Sequence, residues 1–194
     1  TETLTGAIKC SGANTSLTMN DCIVSNNTVE EGEEIFCSCF MLTDGASLAA
    51  RNCVFTENSA HTAPVICSDG AKINMTKCRF EGNWSAGKVG VMLLKGQQES
   101  DFIECDFIKN HAWDCGQIQH VNGNTDFVNC NFIENETSLE KFGGVFQLSS
   151  DGSGKLTISG GEISSNKSGC GGAVNQESNS AQLEMSGVTI KGNF

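Results

Sequence analysis

Five cysteines, Cys22, Cys53, Cys78, Cys105 and Cys130, fall at one position of a recurring nine-residue frame, so a regular fold would set their thiols in a line. Thiols in such number suggest zinc, redox chemistry or disulfides. Zinc needs four ligands converging on one point, usually supplied as close pairs, and thiols strung along a repeat do not converge. Later copies of the frame hold Gly161 and Val188 in the same slot, which marks it as a place for a small buried side chain. The other six cysteines, Cys10, Cys37, Cys39, Cys67, Cys115 and Cys170, lie mostly between frames and are the disulfide candidates. Cys37 and Cys39 share a strand face, and Cys10, Cys39 and Cys67 are expected to stack within disulfide reach. The total of eleven leaves at least one thiol unpaired in a monomer.

Among the carboxylates, Asp101 and Asp126 occupy equivalent outward positions in successive frames, with Asn74 in the frame before. Two carboxylates that close either repel, raising one pKa, or gather a cation, and calcium suits their oxygens. Polysaccharide lyases and hydrolases of pectin-lyase-like fold use such outward acidic clusters together with a basic partner. Here only two arginines exist, there is no Asp-Asp or His-Gly pair, and His61, His111 and His120 do not share a frame position. The residues therefore assign no catalytic group and no cofactor; the one candidate cation site is Asp101 with Asp126. Trp84 and Trp113 follow the frame in adjacent repeats, where they either pack a loop over a corner or offer an aromatic patch to a sugar or partner.

The frame itself explains why these residues recur. FIECDFIKN (residues 102–110) returns as MTKCRFEGN (75–83), FVNCNFIEN (127–135), ARNCVFTEN (50–58) and MNDCIVSNN (19–27). ISGGEISSN (158–166) and MSGVTIKGN (185–193) repeat it without the cysteine. An apolar residue two places before each frame, such as Leu17, Leu48, Ile73, Leu156 or Leu183, gives the period-2 alternation of a half-buried strand. The cysteine comes three residues after the apolar position, so parity breaks and a bend is required. Cysteine and aromatic then alternate inward as a second strand. The frame asparagines, Asn27, Asn58, Asn83, Asn110, Asn135, Asn166 and Asn193, suit a corner, because Asn tolerates the left-handed conformation. A third apolar segment follows each corner, as in APVICS (63–68) and VGVMLL (89–94).

Three short strands in each period of 25 to 31 residues describe an all-β solenoid, a right-handed single-stranded parallel β-helix, filling residues 1–194 as one domain. Its inward columns would be Met19-Ala50-Met75-Phe102-Phe127-Ile158-Met185, the cysteine line, and Val24-Phe55-Phe80-Phe107-Phe132-Ile163-Ile190, flanked by an asparagine ladder. A leucine-rich-repeat-like solenoid is the alternative, with Met75, Cys78, Phe80 and Asn83 in its pattern. That fold wants a further leucine where Ala60, Ser85 and Thr137 stand, and a helix where the Gly-rich run lies.

Net charge of −11 and a pI near 4.6 argue against nucleic acid and anionic membrane surfaces as partners. No apolar run is long enough to span a bilayer. The chain starts without Met and stops one residue past a frame, as expected of a fragment of a longer solenoid. Sequons at Asn14, Asn26, Asn74, Asn83, Asn135 and Asn166 are glycosylation candidates and favour a secreted or surface location.

The pairing of G-G-A-[ILV] with F-x-x-N resembles the chlamydial polymorphic membrane proteins and similar trichomonad surface proteins. It is carried here by GGAV (171–174), GGVF (143–146), GAI (6–8) and the F-x-x-N copies ending at Asn58, Asn83, Asn110 and Asn135. The resemblance implies a β-helical, passenger-like region of a surface protein, often adhesive, partnered by protein or glycan at a cell surface. A non-enzymatic extracellular scaffold is the leading expectation. A carbohydrate-active enzyme domain and a subunit of an end-to-end extracellular filament are the alternatives.

Overall fold

The computed structural model describes residues 7–29, 37–149 and 152–194. Thr5, Gly6 and Phe36, where two of the third segments begin, lie outside them. Each coil runs through three main strands in chain order. In the fourth coil these are Met92–Lys95, Gln97–Ile103 and Asp106–Ile108. Equivalent strands of successive coils pair in parallel and build three seven-stranded sheets. The sequence predicted three strands per coil; the structure adds a fourth, two residues long. Ser59–Ala60, Trp84–Ser85, His111–Ala112 and Glu136–Thr137 form a four-stranded sheet just past the asparagine corner. The described residues contain no helix, which removes the leucine-rich-repeat alternative. Its extra leucine position is instead an inward-facing buried small residue of this fourth sheet, as at Ala60, Ser85, Ala112 and Thr137.

Register follows the two predicted core columns at every rung, from Met19 against Ala50 to Ile158 against Met185. The second column runs likewise from Val24 against Phe55 to Ile163 against Ile190. A one-residue slip would turn each strand's apolar set outward, so burial holds the register. Phe55, Phe80, Phe107 and Phe132 stack face to face with ring centroids 4.9, 4.5 and 4.7 Å apart. Phe102 and Phe127 stack at 4.6 Å beside them, and Phe107 meets Phe127 edge-on at 6.2 Å. Burying each phenylalanine contributes about 2–3 kcal/mol, and the repeat sets the spacing that lets the rings stack.

One interior column departs from apolar. Ser100 and Thr125 follow Ile73 where leucine or isoleucine stands in other coils. The strand Gln97–Ile103 bulges there, and Ser100 Oγ accepts the Ile73 backbone N–H at 2.9 Å. The hydroxyl replaces a ladder acceptor that the bulge displaces.

The bend expected between the apolar position and the frame cysteine is present, and the second bend falls one residue before the expected place. The residue before each frame cysteine is left-handed, as at Asp21, Asn52, Lys77, Glu104 and Asn129. The residue before each frame asparagine is left-handed too, as at Asn26, Glu57, Lys109 and Glu134. The frame asparagine itself is not, which corrects the expectation. Its amide is needed inside, and its neighbour takes the strained angle instead. Every coil turns at these two points, so long polar residues accept a conformation that costs them about 1 kcal/mol.

Candidate functional site

The five frame cysteines stack along the core, one to a coil, with the Cys105 backbone N–H donating to Cys130 Sγ at 3.4 Å. Each thiol donates to the backbone carbonyl two residues earlier: Cys22 to Asn20 (3.2 Å), Cys53 to Arg51 (3.3 Å) and Cys105 to Ile103 (3.4 Å). Cys78 and Cys130 do the same at 3.6 Å to Thr76 and Val128. Four of these carbonyls also accept a backbone N–H from the preceding coil, as Arg51 does from Asp21 at 3.0 Å and Ile103 from Lys77 at 2.9 Å, so the thiol takes up the second acceptor position of an oxygen already in the ladder. The hydrogen bond that Cys105 donates to Cys130, together with burial, pushes the Cys105 thiol up to about 12, and contact with Cys105 plus burial pushes Cys78 up as well. Cys130 is shifted down by that same Cys105 hydrogen bond. With Cys78 and Cys105 held as neutral thiols at neutral pH, the line lacks the electropositive, exposed setting of a reactive cysteine. Gly161 sits in the slot for another reason: a Cβ there would collide with the Cys130 carbonyl.

The six remaining cysteines divide differently from the prediction. All eleven thiols are unpaired in the structure. Cys10 and Cys39 belong to the main core, and Cys10 pairs with Leu42, while Cys67 pairs with Met41. Cys10, Cys39 and Cys67 therefore do not share a column, because the strand alternation puts Cys67 on the opposite face. Cys37, Cys67 and Cys115 gather in a separate outer cluster, and Cys170 is exposed.

Asp101 and Asp126 are brought together as expected, directly paired across adjacent coils with Asn74 before them and Thr157 after. They line an open groove of about 490 Å³ with Lys72, Glu99, Asn124 and Lys155. Sequence reading missed the two lysines. They lie two residues before Asn74 and Thr157, on the same strand face, and that parity was the available signal. Lys155 also reaches Glu184 at 2.7 Å. Among the described residues no three His, Cys, Asp or Glu side chains converge as a metal site. Asp106, on the next face, accepts from Asn131 Nδ2 at 2.9 Å, while Arg79 pairs with Glu81 at 2.9 Å.

The histidines are dispersed. His120 points into the core with neither ring nitrogen hydrogen-bonded, and burial pulls its pKa down to about 4, against a weaker backbone effect of Gly123. His111 lies in the corner sheet, paired across from Trp84 with ring centroids 6.4 Å apart. Trp84 and Trp113 are about half exposed, at 46% and 52%, so neither serves as a loop plug. Trp84 borders a concavity of about 460 Å³ with Ser59 and His61.

The asparagine ladder is complete. Each amide donates to the side-chain oxygen of the next coil's asparagine, from Asn27 to Asn58 (2.9 Å) through Asn166 to Asn193 (2.8 Å). This corrects three of the glycosylation candidates. Asn83, Asn135 and Asn166 are fully buried, with Nδ2 committed to two acceptors, and the folded coil leaves no room for a sugar there. Asn14, Asn26 and Asn74 are exposed.

Comparison with known proteins agrees with this geometry. A search of curated proteins returned no match, and a search of solved structures returned none. A family model described as right-handed beta helix region matches residues 6–194. With parallel coils stacked in register along the whole described chain, this protein belongs to the right-handed β-helix family.

Proposed function

We propose that this chain is a non-enzymatic, extracellular or cell-surface β-helix scaffold of adhesin type, related to the polymorphic membrane protein-like surface proteins. The observation that carries the reading is the in-register stacking of the sheets. Outward residues of one column lie in a line up the coils, and the acidic groove at Asp101 and Asp126 gathers its charges along that line. Such faces suit extended contact with a protein or glycan better than chemistry at a point. The Gly-Gly motif has a fold-level reason that fits the resemblance. Gly144 packs so closely on the Gly172 backbone that a Cβ would collide with its carbonyl. The exposed sequons agree with a secreted chain.

The test is glycan mapping on protein from its native source, with antibody labelling of intact cells. Surface labelling with sugar confined to Asn14, Asn26 and Asn74 supports the proposal. Bare polypeptide, with no labelling until the cells are permeabilised, overturns it.

A second reading, a carbohydrate-active enzyme, draws on the direct pairing of Asp101 with Asp126. Adjacent strands lie about 4.8 Å apart, near the carboxyl separation of about 5–5.5 Å in retaining glycosidases. Lys72 and Lys155 would be its basic groups. That reading requires polysaccharide cleavage that Asp101→Asn and Asp126→Asn each abolish. The scaffold reading expects no cleavage by the parent chain, with or without calcium.

A further inference from the structure

The outer cluster at the start of the first sheet holds Cys37, Ala63, Cys67 and Val89, with Met41 packed against it. Its geometry follows from register. Cys37 bridges to Ala63 of the next coil, while Cys67 of that coil pairs with Met41. The chain bends at residues 38–39 and again at 64–65 before each strand begins. That bend folds position 37 back over the strand residues that follow it. Both thiols are buried, 1% and 2% exposed. Cys37 Sγ lies 2.9 Å from the Phe40 carbonyl and 3.4 Å from that of Val65, and Cys37 and Cys67 are the two fully buried thiols of this one small cluster.

This pair differs from the core cysteine line in register. Line cysteines occupy equivalent rungs of successive coils, so their Cα–Cβ bonds run parallel. Cys37 and Cys67 occupy non-equivalent positions, Cys37 across from Ala63 and Cys67 across from Met41, so their Cα–Cβ bonds are not held parallel by the stacking.

We propose that Cys37 and Cys67 form a disulfide stapling the second coil to the third. The oxidant is a low-molecular-weight disulfide such as oxidised glutathione. Two thiol S–H bonds and the glutathione S–S bond break, and the Cys37–Cys67 bond and two glutathione thiols form. The two electrons and two protons pass to glutathione. Both thiols are buried once the coils close, so the exchange belongs to refolding: one thiol forms the mixed disulfide with glutathione and the other displaces it before the cluster packs. The link leaves the core cysteine line as thiols.

The test refolds the chain in a buffer of reduced and oxidised glutathione, alkylates it in denaturant, and maps peptides without reduction. The expected result is nine alkylated thiols of the eleven and one cross-linked peptide pair joining Cys37 to Cys67. Reductant should then lower the Tm of the parent chain and of Cys170→Ser, and leave that of Cys67→Ser and Cys37→Ser unmoved. Eleven alkylated thiols, or a cross-link between any other pair, overturns the proposal. The readout is made in vitro at a set redox potential, so it stands or falls independently of where the chain is displayed.

Discussion

Asn110 donates its side-chain amide to Asn135 Oδ1 at 3.0 Å, and its backbone N–H reaches the same oxygen at 3.0 Å. One acceptor therefore satisfies two donors of the coil before it. The same amide also donates to the Phe80 carbonyl at 3.0 Å, which ties three successive coils at one corner. The ladder satisfies backbone N–H groups at the turn, such as those of Asn83 and Asn110, with side-chain oxygens of the next coil.

Asn110→Ala should therefore be costly well beyond one hydrogen bond. It strips the acceptor from Asn83 N and Nδ2 and the donor from the Phe80 carbonyl, all buried. Unsatisfied buried groups cost about 1–3 kcal/mol each, so a loss of at least about 3 kcal/mol is expected in urea unfolding. Asn193→Ala, on a half-buried terminal rung, should cost clearly less. Equal losses at the two positions would contradict the ladder account.

Phe107 touches the rings of both phenylalanine columns, stacked between Phe80 and Phe132 and edge-on to Phe127. Phe107→Ala should lower stability by about 3–5 kcal/mol, as for other buried aromatic truncations. Phe107→Leu should retain most of it, because leucine keeps volume while losing the ring contacts. Thermal unfolding of the two variants separates the packing contribution from the stacking contribution.

His120 supplies a pH test. Its folded pKa, about 4, lies below the ordinary 6.5, so the fold holds it neutral. The unfolded chain takes up the proton first as pH falls. Stability is complete above about 6.5 and is lost progressively down to about 4, by about 3 kcal/mol in all. His120 pairs with Leu94 before it and Leu148 after. His120→Leu should raise stability at neutral pH and flatten the decline between pH 6.5 and 4. An unchanged acid slope in this variant would show that another group carries the loss.

The sequence by itself determined the solenoid, both core columns and the outward pairing of Asp101 with Asp126. Each is a matter of one-dimensional period, and a parallel stack of coils converts equal frame positions into spatial neighbours. Only the tertiary structure decided what depends on how a bend turns. The left-handed angle falls beside the frame asparagine, which sends that amide inward and makes Asn83, Asn135 and Asn166 ladder rungs although each begins a sequon. Strand parity takes Cys67 out of the column of Cys10, and the bend at residues 38–39 leaves Cys37 in the outer cluster that holds Cys67. His120 reads as polar in the sequence, yet strand parity turns it into the core. Period reaches from coil to coil, whereas the direction of a side chain at a corner is set by backbone angles that no spacing records.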